Sequence, residues 1–583
     1  MTKQRNLILA VLLTALMLFG YEAFLQHFYP DYAKKKPVAA ASQAPASQAA
    51  APAVPVTTTP TRDGGLTSAA DVALEAKDLQ SALAAPGRVP VAAPGLTGSI
   101  NLAGAVIDDL VTARHTASVE KNSGPARIFS PAGTPAQQFA QLGWIGQNVA
   151  LPNAQTVWTA PAGAKLTPAT PVTLTAANDA GLTFRITYAI DKDYMITATQ
   201  TVSNTGTAPV TVQPFALINR TEKTASLDSW NIHSGPFGAF DQAVRFNPNY
   251  SDVQEAGELK NEGKTDWLGF TDIYWMSVLI PGETPAATSY RALGSGNFRA
   301  DLMYKPAEVF PGRELSRTTR LFAGAKESEV LDRYEASGIV HFGKSIDWGW
   351  FFWFEKPIFW LLNALFRTVG NFGVAIILLT VIVRGVMFPV AQRQFASMAA
   401  MKAIQPKMKA LQERYKDDKQ KQQQEIMALY KQEGVNPLAG CLPIFLQIPV
   451  FFALYKVLMV SIEMRHQPFI LWIRDLSAPD PLHILNLFGL LPFTPPSFLG
   501  LGLLALLLGV TMFFQFRLNP APMDPAQQQV FAIMPWMMMF VMAPFASGLL
   551  LYWITSNILT IAQQQFLYSR HPQLKVQPAV PAK

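Results

Sequence analysis

GVAIILLTVIVRGVMFPV, residues 373–390, is an apolar run long enough to cross a bilayer, with one arginine, Arg384, and no Asp or Glu inside it. An arginine at mid-membrane costs roughly 2.5 to 3.5 kcal/mol on insertion scales, so such a side chain faces water, polar partners or the interface rather than lipid. Thr380 stands four residues earlier, on the same helical face, and extends the polarity into a stripe. Arg384 also lies shortly before Pro389, so a second reading has its long side chain snorkelling to the cytoplasmic surface.

Working outward, further apolar segments fall at 441–462, 498–516, 530–544 and 548–568, and with 370–390 and an N-terminal anchor at 1–28 they give about six spans. Lys3 and Arg5 precede the first of these, and small residues suited to cleavage come only after Pro37, so the anchor is expected to be retained with its start in the cytoplasm. An Ala/Pro-rich tether follows at 29–63. The connection 391–440 is rich in Lys and Arg and belongs in the cytoplasm, which puts 463–497 on the far side and 517–529 and the mildly basic tail 569–583 on the near side. Within 391–440, Met401, Ile404, Met408, Leu411 and Tyr415 recur at spacings of three and four; Ile426, Leu429 and Tyr430 make a second stripe after Asp417-Asp418. This predicts a helical hairpin. Residues 341–369 are packed with Trp and Phe but interrupted by Glu355, Lys356 and Pro357, which suits a helix lying at the membrane interface.

Residues 64–340 read differently. Short β-type runs alternate with Gly, Pro, Asn and Asp; 182–190 and 194–202 flank the turn Asp191-Lys192-Asp193, 210–219 follows, and 273–280 is a further strand candidate. One large β-sandwich is expected. Asp108-Asp109 and Asp191/Asp193 have the pairing of glycosidase carboxylates, but acids beside turns are usually solvated turn residues, and that is the reading expected here. Trp230, Trp267 and Trp275 are expected to fill the core, and His115, His233 and His341 lack metal-ligand spacing, so neither a catalytic role nor a cofactor is assigned. The single cysteine, Cys441, excludes an intrachain disulfide. The net charge of +7 is spread along the 583 residues, pointing to phospholipid and ribosomal RNA rather than to DNA.

In the last span Tyr552, Ser556, Thr560 and Gln563 share a face, and Gln447 adds an amide to the span after the hairpin. With Thr380 and Arg384 they are expected to line a hydrated groove. Pro443 and Pro449 interrupt the ladder of the Gln447 span near its cytoplasmic end. Met534, Met537, Met538, Met539 and Met542 crowd one segment, a composition suited either to an adaptable apolar surface or to ordinary packing.

TVIVRGVMFPV, KQEGVNPLAGCLPIFLQIPVFFALY (431–455), PFILWIRDLSAPDP (468–481) and SGLLLYWITSNILTIAQQQ (547–565) closely resemble the YidC/Oxa1/Alb3 membrane-insertase family, and QRNLILAVLL (4–13) with the β region resembles its Gram-negative branch. The resemblance covers nearly the whole chain. It implies a polytopic α-helical membrane protein, an anchor plus a five-helix insertase core, with a periplasmic all-β super-sandwich and a cytoplasmic helical hairpin. It places the chain in the bacterial inner membrane with both termini cytoplasmic. It also implies a hydrophilic groove closed to the periplasm, with Arg384, Thr380 and Gln447 at groove positions beside Tyr552 and Ser556. Substrate apolar segments would leave along Phe451, Met534, Met538 and Met542. The implied partners are nascent inner-membrane proteins, the Sec translocon, the ribosome, the signal recognition particle receptor and the bilayer. Two positions depart from the family pattern: Trp553 where a second tyrosine is usual, and Lys456, which is expected to snorkel, where an uncharged residue is usual.

These features predict insertion of short membrane proteins without nucleotide hydrolysis, since no P-loop pattern is present. An ion-coupled transporter is the first rival and would require intramembrane carboxylates or an inverted repeat. A membrane-tethered carbohydrate-active enzyme is the second.

Overall fold

The computed structural model describes residues 62–120, 122–226, 232–349, 352–393, 404–416, 418–434, 442–488, 490–491, 500–518 and 525–570. The expected anchor, nearly all of the tether, Met401, Asp417, Trp230, Cys441, residues 492–497 of the far-side connection and nearly all of the basic tail lie outside these residues.

Helix α1, Ala69–Ala84, opens the described chain and was not anticipated, although Val72, Ala76, Leu79 and Leu83 recur at helical spacing after the Ser68 cap; none of its residues is buried. Two antiparallel sheets of ten and eight strands follow, stacked as a sandwich. The predicted hairpin is Leu182–Ile190 against Met195–Asn204, with Ile190 opposite Ile196. Leu182, Phe184, Ile186, Tyr188 and Ile190 are all buried, the period of two that the sequence shows. Polar groups also tie the sheets together: Gln138 Nε2 donates to Ser277 Oγ at 2.9 Å and Tyr290 OH to the Phe237 carbonyl at 2.7 Å. Trp267 is fully buried and donates to the Val340 carbonyl, whereas Trp275 is only half-buried, set between His115 and Arg465. The suspected carboxylates are not solvated turn residues as expected: Asp108, Asp109 and Asp193 are buried, because each has a cationic partner. Asp108 pairs with Arg88, Asp109 with Arg127 at 2.7 Å, and Asp193 with Arg114 and Arg333 at 2.6 and 2.7 Å, while Asp191 accepts from Tyr334 OH at 2.5 Å.

Helices α2, Tyr250–Ala256, and α3, Ser328–Ala336, belong to this region. Beyond it come α4, Phe352–Val369, and α5, Phe372–Val386. Trp353 and Trp360 of α4 are exposed while Glu355, Ile358, Phe359 and Leu362 are buried, so the helix is amphipathic. The cytoplasmic-type hairpin is α6, Gln405–Arg414, and α7, Lys419–Gln432, closed by Ile404, Met408 and Leu429 with Leu411, Ile426 and Tyr430 against them. Asp418, at the predicted break, caps α7 through the Lys421 amide at 3.0 Å. The remaining helices are α8, Leu442–Val460, α9, Leu503–Leu518, α10, Pro525–Met542, and α11, Ser547–Arg570.

Among the described residues no helix is both long and apolar enough to cross a membrane. Helix α5 has 15 residues and spans roughly 22 Å against a hydrocarbon core of about 30 Å. It ends at Val386, with Met387 as its cap, and the chain is helical again over 388–393.

The core helices are set by the segment between α8 and α9. Asp480 accepts from the Leu504 amide at 2.7 Å, capping α9, and from the Trp472 indole at 3.0 Å. Ser547 Oγ and the Ser547 amide both donate to the Ala478 carbonyl, and the Gly548 amide to that of Leu476, which fixes the start of α11. A side chain at Gly548 would stand 2.9 Å from Leu458 Cδ2, so glycine allows α11 to approach α8. The same segment meets the sandwich. Arg465 is almost fully buried, donates to the Thr116 and Ala117 carbonyls at 2.8 and 2.9 Å, and lies over the rings of Tyr274 and Trp275. Asp63 pairs with Arg465 at 3.3 Å, Arg62 donates to Ser477 Oγ at 2.9 Å, and Glu463 accepts from the Ser328 amide at the start of α3 at 2.8 Å.

Candidate functional site

Seven polar side chains expected on one groove come from α5, α8 and α11, and the fold pairs four of them across helices. Arg384 sits in the last turn of α5, and its Nε donates to Ser556 Oγ of α11 at 3.0 Å. Among the described residues no carboxylate pairs with this guanidinium, so a neutral hydroxyl is what meets the charge. The side chain reaches across to α11. One turn before Ser556, Tyr552 is buried and its hydroxyl accepts a hydrogen bond from Gln447 Nε2 of α8. Two cross-helix links thus stack along one face of α11.

Thr380 lies on the stripe but is turned to its own helix. It is buried and donates to the Ile376 carbonyl at 2.7 Å, the back-bonding open to a threonine inside a helix. Thr560 does likewise with the Ser556 carbonyl at 2.7 Å. Asn557 donates to Thr511 Oγ1 of α9 at 3.2 Å, a link the sequence reading did not single out. Its signal was an amide beside Ser556, in a segment read as spanning the membrane.

The apolar candidates divide by depth. Phe451 of α8 is half-buried and packs edge-on against Trp553 of α11, with centroids 5.2 Å apart, so the tryptophan that departs from the family pattern forms a wall with it. Met534, Met538 and Met542 follow at four-residue spacing; the first two are half-buried and Met542 is buried. Met539 packs with Ala505 and Ala543, whereas Met537 is half exposed on the outer face. Pro535 within α10 and Pro449 within α8 remove amide donors from their helices.

Lys456 does not snorkel. It is buried in α8 with its Nζ 3.7 Å from Asp347, near Glu355, because the chain entering α4 folds over this end of α8 and supplies a carboxylate. Burial pushes the Glu355 carboxyl up to about 7 despite Lys456, with Asp347 adding to the rise. Glu463 is likewise pushed up to about 7 by burial, and its Oε2 has no hydrogen-bond partner. Among the described residues no three His, Cys, Asp or Glu side chains are grouped to hold a metal ion.

Comparison with known proteins places this arrangement. The 60Kd inner membrane protein family matches residues 364–574, and the YidC periplasmic domain family matches residues 88–361. The membrane protein insertase YidC of Zymomonas mobilis is 43% identical over 580 residues, covering 98% of this chain and 96% of that protein. The protein of the same name from Bradyrhizobium diazoefficiens is 41% identical over 608 residues, covering 98% and 97%. A solved active YidC insertase with its first transmembrane domain resolved covers 82% of this chain and 92% of its own, at 19% identity and a TM-score of 0.34.

Proposed function

Because this chain belongs to the YidC family of membrane protein insertases, we propose that it inserts membrane proteins by holding the polar end of a substrate segment beside Arg384 while the apolar part enters lipid. The observation that carries this reading is a cation met by a hydroxyl and no described carboxylate, on a face where a second cross-helix polar pair lies one turn away. A charge so placed lowers the cost of desolvating an acidic or polar tail, and burial of the apolar segment supplies the driving force. The membrane potential adds about 2.3 kcal/mol per charge per 100 mV for an acidic tail moving outward.

The membrane reading of α5 and α8–α11 is supported by their outward side chains. Val381, Val386, Ile448, Phe452, Phe514, Ile533, Trp536 and Phe540 are all large, apolar and exposed, a surface suited to lipid rather than water. We place the chain in the bacterial inner membrane with the β-sandwich in the periplasm and both termini in the cytoplasm. The groove is completed by Gln447, Tyr552 and Ser556, and Phe451, Met534, Met538 and Met542 form the apolar exit. The hairpin of α6 and α7 presents exposed Lys407, Lys409 and Lys421 and is the surface assigned to the ribosome; the Sec translocon is assigned as a partner on the lipid-facing side.

The test is reconstitution of the purified chain alone into liposomes, with protease-protected insertion of single-spanning substrates carrying acidic or neutral tails. Wild type is expected to insert both, and Arg384→Glu to lose the acidic-tailed substrate most. Equal insertion of the two by Arg384→Glu would sink the electrostatic part, and failure of wild type beside a working control insertase would sink independent insertion.

A further inference from the structure

The face of α11 opposite Ser556 takes no part in the groove, yet it borders a cavity. Ile558 and Ile561 of α11 and Thr511, Phe514 and Leu518 of α9 wall a crevice of about 510 Å³, within the size range of small-molecule sites. Positions 558, 561 and 565 fall about half a turn round the helix from 552 and 556. Thr511 meets Asn557 at one end of the crevice, and Arg517 stands with Gln565 at the other, so α9 and α11 run side by side in one direction. Phe514 and Ile558 are each about half exposed, at 53% and 51%, which leaves the apolar wall open along its length.

Charge distinguishes this crevice from an ordinary gap between helices. Helices α9, α10 and α11 contain no Asp or Glu, and Arg517 is exposed in the last turn of α9 with its guanidinium carbon 5.0 Å from the Phe513 centroid. The ring holds the stem against the helix and directs the charge to the end of the apolar wall. We propose that this crevice binds one anionic phospholipid, an acyl chain lying along Phe514, Ile558 and Ile561 with the headgroup phosphate on Arg517. An apolar channel ending at a cation that has no carboxylate partner among the described residues matches an amphiphile with one anionic end. The charged segment of a polypeptide would leave its own polar backbone against Phe514 and Ile558. Under the topology above, Arg517 lies at the cytoplasmic level, where anionic lipids gather basic side chains. The site rests on the membrane placement of α9 and α11 and not on the groove.

Native mass spectrometry of the full chain in detergent, offered equal amounts of phosphatidylglycerol and phosphatidylcholine with the same acyl chains, tests it directly. Wild type is expected to retain one phosphatidylglycerol in preference to phosphatidylcholine. Arg517→Gln should lower that retention about fivefold, to the phosphatidylcholine level, and Ile561→Trp should fill the crevice and lose both lipids. Arg517 is exposed, so its variant is expected to keep the wild-type unfolding temperature even if Ile561→Trp does not. Equal retention of the two lipids by wild type, unchanged preference in Arg517→Gln, or displacement of the lipid by inorganic phosphate would each overturn the assignment. So would a photoreactive group at Phe514 capturing the inserting substrate instead of lipid. Lipid retention with failed insertion in liposomes would uphold this site while defeating the groove reading, so the two are separable.

Discussion

Arg384 and Ser556 form the smallest unit on which the proposed function depends. A charged hydrogen bond of this kind contributes about 1.5 to 3 kcal/mol when its alternative is an unsatisfied donor. Ser556→Ala is therefore expected to destabilise the protein by roughly 1.5 kcal/mol, read as a lower unfolding temperature in detergent. The guanidinium is also released, so insertion of acidic-tailed substrates should fall less than in Arg384→Glu; an unchanged unfolding temperature would mean that the hydroxyl is not its partner. The charge at Arg384 was legible in the sequence because an arginine in an apolar run has few acceptable environments. Its partner was legible only as one candidate on a polar face, since a helical period says which residues share a face and not what they meet. Thr380 shows the difference, because the same stripe contains a hydroxyl that closes on its own helix.

Close approach governs the elements. Gly373 begins α5 directly beneath Phe469, where an added Cβ would stand 2.0 Å from the ring, and Asn371 fixes the same contact by capping α5 and donating to the Phe469 carbonyl at 3.1 Å. Gly373→Ala is expected to cost about 1 to 3 kcal/mol through overpacking, measured by thermal unfolding. Combining it with Phe469→Ala should recover part of that loss, a coupling that two independent sites would not show. Strands were readable at this scale from their alternation, and the α6–α7 hairpin from its spacing of three and four. Helix α1 was legible in the same way, from Val72, Ala76, Leu79 and Leu83 after the Ser68 cap, but was passed over within a region read as β. The ends of the core helices were legible only roughly: α5 stops at Val386 and α9 begins at Leu503, because caps and loop hydrogen bonds decide an end while hydropathy only marks a stretch.

Sandwich and helical core are joined through buried charge, and that junction sets the behaviour of the whole molecule. Arg465→Met keeps the volume but leaves Asp63 to His466 at 3.4 Å and strands the Thr116 and Ala117 carbonyls, so a loss of about 3 kcal/mol is expected. Calorimetry should then show the sandwich and the helices melting separately; one unaltered transition would show that Arg465 does not couple them. Glu355 and Glu463 lie at the same junction with carboxyls raised from the ordinary 4.5 to about 7. The folded chain holds these protons up to about pH 7 and the unfolded chain releases them near 4.5, so their contribution is fully present below pH 4.5 and is lost as pH rises to 7. That loss amounts to as much as about 3 kcal/mol for each group. Glu355→Gln with Glu463→Gln should flatten the unfolding temperature between pH 4.5 and 7, and an unchanged slope would assign it elsewhere. By itself the sequence determined the β-sandwich, the helical second half, the family and the unusual position of Arg384, because hydrophobic period, turn chemistry and an isolated charge are local properties of the chain. Only the tertiary structure decided that Arg384 meets Ser556, that Lys456 meets Asp347 and that Arg465 binds the sandwich, because each pair joins residues far apart in sequence whose meeting depends on how whole elements pack.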